Sequence, residues 1–204
     1  MSKYRVNLFI GAMLVAGFVE SIVAQVPTRP SSSASRLDKG FIDGKTYVNP
    51  SLGLELTPDP SLKLGNPELR GTPGTMPLQV AVAAWGEQKW LSTREGTVFY
   101  ADALAYYPDD QRSTSAYIQK IILANRNNGF QSVLRNPETR FGAASFARAD
   151  FFKKGPIYET VLVRACDTLA FVFVFTGSGK DAVNKLIERT NLKLDLLRSG
   201  CGRD

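Results

Sequence analysis

The chain has 204 residues, 44% of them hydrophobic and 22% charged, enough for one domain with an ordinary core. Its 25 basic and 19 acidic residues leave a formal charge of +6, scattered rather than gathered in a stripe, so nucleic acid is a poor partner. There is no histidine, which excludes Ser-His-Asp and Cys-His catalysis and the zinc-protease motifs, and two cysteines cannot make a structural zinc site by themselves.

Residues 1–24 read as a secretory signal peptide. Lys3 and Arg5 form a basic start, Leu8 to Val19 is an uncharged apolar run, and Ile22-Val23-Ala24 ends in a small residue suited to cleavage before Gln25. An uncleaved anchor needs about 20 apolar residues, and Glu20 and Ser21 interrupt that length. Cleavage removes Lys3, Arg5 and Glu20 and leaves a mature charge of +5, which suits weak attraction to an anionic envelope surface or an acidic partner. The expected location is periplasmic or extracellular, with no stable membrane anchor after cleavage. Residues 25–40, rich in Pro, Ser and charge, read as a flexible tether, with few domain contacts expected up to Lys39. The domain proper is placed at residues 41–197 and a tail at 198–204.

Lys45–Val48 and Leu52–Leu56 read as short strands around the turn Asn49-Pro50-Ser51. Thr57–Pro77 holds five prolines and three glycines, which predicts a long loop without regular elements. Leu78–Trp85 and Val98–Ala105 are apolar strands. Ser113–Asn127 reads as a helix, with Tyr117, Ile118, Ile121, Ile122 and Ala124 on one face and Gly129 as its C-terminal cap. A short strand follows at Gln131–Arg135. Ala143–Phe152, Ile157–Cys166 and Thr168–Phe175 are joined by turns too short for anything but antiparallel pairing. The last of them, apolar on both faces, belongs in mid-sheet. Lys180–Thr190 is a second amphipathic helix, with Ser178 and Asp181 in capping-box spacing before it. Leu192–Asp195 is a final strand. Together these predict an α+β fold, an antiparallel sheet flanked by helices.

Several of these segments carry a family resemblance. Tyr47, Asn49, Gly53 and Leu54 open the domain; FARADFFKKGPIYETVLV forms its middle strands; LAFVFVFTG precedes the last helix and LKLD follows it. In order and spacing the chain resembles the PsbP-like family of exported bacterial proteins, whose fold is shared with the nuclear-import regulator Mog. The resemblance spans about Gly40 to Asp195. It implies an α/β/α sandwich and a binding or accessory role without catalysis.

Thr176 to Asp181 carries half of a phosphate-binding loop, after a strand and before a helix. Val174 replaces the first glycine of that motif and Asp181 the hydroxyl residue, so a turn and cap is the better reading. Asp109 and Asp110 lack the further oxygen ligands a calcium loop needs and read as turn residues. No cofactor and no metal site is expected. Tyr106 and Tyr107 are a candidate interaction surface, with core packing of the mid-chain aromatics the preferred reading. Export permits a disulfide between Cys166 and Cys201; the alternative is a buried apolar Cys166 and a free Cys201. Arg148 and Asp150 share a strand face, and Glu159 is expected opposite or diagonal to them, with the arginine bridging both acids as a structural polar cluster.

The expected function is a monomeric, non-enzymatic binding or accessory protein acting through contacts with an envelope protein. The alternatives are a carrier of a small ligand in a cleft between sheet and helices, and a carboxylate-based hydrolase. N-terminal sequencing of secreted material should begin at Gln25; a retained Met1 in the membrane fraction would mean an anchor instead.

Overall fold

The structure, a computed structural model, describes residues 37–71, 79–86, 95–104, 107–154, 157–166, 168–197 and 201, apart from the side chains of 134–137. The leader, its cleavage point and most of the tether lie outside the described residues. Where the tether is described it is not detached. Leu37 packs against the core, Asn49 Nδ2 donates to the Asp38 carbonyl (2.9 Å), and the Tyr47 hydroxyl donates to the Lys39 carbonyl (3.2 Å).

Twelve strands and two α-helices follow one another among the described residues. In chain order they are β1 (Phe41–Asp43), β2 (Thr46–Asn49), β3 (Leu54–Thr57), β4 (Lys63–Leu64), β5 (Glu68–Arg70), β6 (Gln79–Trp85), β7 (Gly96–Ala103), α1 (Thr114–Asn127), β8 (Gln131–Phe141), β9 (Ala144–Lys153), β10 (Ile157–Ala165), β11 (Leu169–Gly177), α2 (Lys180–Arg189) and β12 (Asn191–Leu194). They form two antiparallel sheets. The larger runs β4-β6-β7-β11-β10-β9-β8, with β5 also on β6, and the smaller runs β1-β2-β3-β12.

This corrects the expected α+β sandwich of one sheet flanked by helices. The protein is sheet-rich, and one face of the large sheet is covered by the second sheet together with α2. The reason is long-range pairing. β12 pairs with β3, Leu192 opposite Leu56 and Leu194 opposite Leu54, so strands from the two ends of the domain build a sheet of their own. The Pro/Gly-rich stretch also contributes: β4 and β5, two and three residues long, both pair with β6. Their brevity suits a segment in which proline repeatedly removes a ladder donor.

Local chemistry sets the other elements. Ser113 caps α1, its hydroxyl accepting from the Ala116 amide (3.1 Å), and Gly129 takes the left-handed conformation (φ 82°) just past the helix end. α2 departs from the capping-box expectation. Its N-cap is Gly179 and no side chain caps it, which leaves Ser178 exposed beside the helix rather than at its start. β8 runs to Phe141 rather than Arg135, with register shifts between Ser132 and Leu134 and between Asn136 and Thr139. Those bulges break the alternation that marks a strand in sequence.

The core lies on both faces of the large sheet. β11, between β7 and β10, supplies Phe171, Phe173 and Phe175 to one face and Ala170, Val172 and Val174 to the other. The phenylalanines meet Phe99, Phe141 and Phe146, with Phe141–Phe175 and Phe146–Phe173 edge-to-face at 5.5 Å between centroids. Tyr47, Leu54, Leu56 and Leu192 of the small sheet and Val183 and Leu186 of α2 close that side. On the other side Tyr117, Ile118, Ile121 and Ile122 of α1 cover the smaller Val and Ala side chains.

Cys166, just past β10, is joined to Cys201 by a disulfide, with Cα atoms 4.7 Å apart and both residues buried. Cys201 N donates to the Leu196 carbonyl (2.9 Å), so the tail folds back on itself before it is tied. The bridge closes a 35-residue separation that spans β11, α2 and β12. Replacing Cys201 by Ser should lower unfolding stability by about 3 kcal/mol in urea titrations under non-reducing conditions.

Candidate functional site

The chemistry-bearing side chains of the large sheet sort by strand parity onto its two faces. On the face covered by α1, Asp102 of β7 is buried and collects neutral donors. The Tyr117 hydroxyl donates to its Oδ2 in a short hydrogen bond, the Tyr107 hydroxyl donates to the same oxygen (3.2 Å), and Gln79 Nε2 donates to Oδ1 (2.5 Å). Burial raises the Asp102 carboxyl, and the three donors oppose that rise. The same burial, with the Asp102 charge beside them, pushes both phenols well up. Lys120 Nζ lies 4.2 Å from the centre of the Tyr107 ring, and burial lowers the lysine.

Tyr107 is therefore not part of an exposed surface. It is 6% exposed and packs edge-on against Tyr117, 5.9 Å between centroids. Its hydroxyl has a buried acid to satisfy, which draws the ring inward. Tyr106, the other half of that expected surface, lies outside the described residues.

Glu159 of β10 is on the same face, 1% exposed, and accepts from Asn125 Nδ2 of α1 (2.8 Å). Burial pushes its carboxyl up to about 7, against the pull of the Asn125 amide. Arg148 and Asp150 are on the opposite face. Arg148 Nε donates to Asp150 Oδ1 (2.9 Å), Arg148 Nη2 donates to Asn184 Oδ1 of α2 (3.1 Å), and the Thr160 hydroxyl donates to Asp150 Oδ1 (2.7 Å). Asp150 Oδ2 is buried without a hydrogen-bond partner. The expected trio is thus divided. Arg148 pairs with Asp150, and Glu159 is on the far side of the sheet. Register decides this. Lys153 pairs with Ile157, so Glu159 faces Phe151 and Thr160 takes the place opposite Asp150. A single residue in the turn moves every later side chain to the other face.

Asp102, Tyr117 and Asn125 were not singled out from sequence as polar site residues. Asp102 did leave a signal, a lone acid inside the apolar strand VFYADALA with the parity of Tyr100. Asn125 left none, since an asparagine near a helix end is ordinary.

The spacing of the acids limits their chemistry. Asp102 pairs with Ala170 of β11, and Glu159 pairs with Thr176 of the same strand. Six residues of strand separate those positions, roughly 20 Å at ~3.3 Å per residue. Carboxylate pairs in glycoside hydrolysis are about 5 to 9.5 Å apart. Asp150 is removed from both by the thickness of the sheet. Among the described residues no group of three or more His, Cys, Asp or Glu is placed to hold a metal ion, and no helix is long and apolar enough to cross a membrane. Asp109 makes an ion pair with Arg112 (2.7 Å) in a 3-10 turn with Asp110.

No family model and no curated protein matches the chain. Among solved structures the chain is similar to a crystal structure from Bacteroides thetaiotaomicron VPI-5482, with a TM-score of 0.40 and 12% identity over 76% of this chain. The chain spans about half of that one, 49% of its length. A likeness that distant carries no argument about function.

Arg148→Ala should lower the melting temperature, with a loss of about 3 kcal/mol, because it leaves Asp150 buried without its counter-charge. A variant that keeps its melting temperature but loses a partner or an activity would make this face the functional site instead.

Proposed function

We propose that the protein is an exported, non-enzymatic accessory module that acts through protein contacts in the cell envelope. The observation that carries this reading is the use to which the large sheet's buried acids are put. Asp102 and Glu159 fasten α1, and Asp150 with Arg148 fastens α2 through Asn184. Each is committed to an internal partner, and no two are spaced as an acid–base pair. The leader-like first 24 residues and the motif order resembling the PsbP-like family support export and an accessory role. The disulfide supports an oxidising compartment.

Contacts in this reading fall on the outer side of α1. Leu123 is 62% exposed there, with Gln119, Arg126 and Asn127 as its neighbours at helical spacing. An exposed leucine among polar residues is the kind of position that a partner covers at low cost to the free protein.

The test joins cross-linking in intact envelopes to an activity screen. A specific cross-linked partner should be recovered with the natural chain and lost with Leu123→Asp, whose melting temperature should stay within a few degrees. Turnover of an ester, glycoside or phosphoester substrate that disappears in Asp102→Asn or Glu159→Gln would overturn the reading in favour of a carboxylate-based hydrolase.

A further inference from the structure

α1 is pinned to the large sheet at three points. The Thr114 hydroxyl accepts from the Ala165 amide (2.9 Å) at its start. Tyr117 reaches Asp102 one turn later, and Asn125 reaches Glu159 near its end. The last two points are eight residues apart, about 12 Å along the axis.

They are chemically unequal. Asp102 accepts from two phenols and an amide, so three donors meet its charge. Glu159 is as deeply buried, and Asn125 alone donates to it among the described residues. Its cross-strand neighbours are Phe151 and Thr176. Asn125 is also the hub of the helix end, because its carbonyl accepts from the Asn128 amide (3.1 Å) and the Phe130 amide (3.0 Å). Moving Asn125 therefore moves the turn that buries Phe130.

We propose that Glu159 is a proton-controlled latch for the C-terminal turn of α1: protonated, it keeps Asn125 and the turn through Phe130 on the sheet, and ionised, it releases them.

The surroundings decide which form the seat favours. From β7, Tyr100 and Asp102 face the same layer, the phenol pushed well up by burial and the carboxylate some six strand residues away along β11. From β9, Lys153 shares the face but is engaged elsewhere, its Nζ donating to the Asn128 carbonyl (2.9 Å) and lying 5.3 Å from the Phe130 ring. From α1, Lys120 is over Tyr107 and Arg126 is exposed. β11 contributes Thr176, which does not titrate. A neutral acid suits this seat, and a carboxylate is a buried charge without a counter-ion.

The sign follows from burial. Glu159 ionises near 4.5 when unfolded or released and near 7 when seated. The stabilisation by the latch is complete below the lower value, falls as pH rises between the two, and is gone above about pH 7. Release breaks the bonds that the Asn125 carbonyl accepts from the Asn128 and Phe130 amides, so it is a local opening of the last turn rather than unfolding of α1.

Native-state hydrogen exchange on the full chain with its disulfide intact tests this, each rate corrected for the intrinsic effect of pH. The Asn128 and Phe130 amides should open roughly a hundredfold more at pH 8 than at pH 5, while the Tyr117 amide changes little. Glu159→Gln should hold both reporters at their pH 5 level throughout. Unchanging opening in the natural chain would overturn the latch, as would the same rise in Glu159→Gln or a rise abolished by Asp102→Asn instead. Should Glu159→Gln not fold, carbon-detected titration of the natural chain decides. A Glu159 carboxyl midpoint near 7 that coincides with the exchange transition supports the proposal, and one near 4.5 overturns it.

Discussion

Strand β11 is apolar on both faces, and that places two demands on the rest of the chain. Phe171, Phe173 and Phe175 project one way and need a thick, shaped cover. Ala170, Val172 and Val174 project the other way and leave room for a helix to lie close. Each buried ring contributes about 2 to 3 kcal/mol, so neither face can stay wet. The aromatic side is met by the small sheet with α2, and the Val/Ala side by α1. Bulk on one face and its absence on the other select which element goes where.

Apolar burial has no direction, and the buried acids supply one. A helix on a bed of Val and Ala side chains can slide or turn at little cost. Asp102 under Tyr117, Glu159 under Asn125 and the Thr114 hydroxyl on Ala165 define one position for α1. Arg148 does the same for α2 through Asn184. These contacts contribute specificity more than net stability, since each required a polar group to be dehydrated. A single amide facing a buried glutamate is the weakest of these clamps, and it is at the end of the helix where the chain can yield without disturbing the core.

Legibility in the sequence followed the range of the interaction. β6, β7, β10 and β11, both helices and the Gly129 cap were readable because alternation, helical spacing and turn residues are local. The small sheet was not, because Leu54–Thr57 and Asn191–Leu194 carry no mark of each other. β4 and β5 were hidden by prolines that shorten strands without abolishing them. The site failed in an instructive way. Arg148 and Asp150, two apart on one strand, were legible as a pair. Glu159 was not legible as their stranger, because its face depends on one residue of turn length between β9 and β10. That the mid-chain aromatics favour the core was legible, and Tyr107 follows it, but the buried Asp102 that takes its hydroxyl was not.

The closure of the small sheet bears on how the chain is made. Lys193 reaches Glu55 across 138 residues of sequence, in the same ladder that pairs β12 with β3. At roughly 5 to 20 residues per second, β3 waits on the order of ten seconds for its partner to leave the ribosome. During that interval Leu54 and Leu56 have nothing to complete their side of the core, and the phenylalanines of β11 emerge before the strand that helps to cover them. Sealing of the aromatic layer thus waits for β12, and until that strand arrives the nascent chain stays open to a holding chaperone.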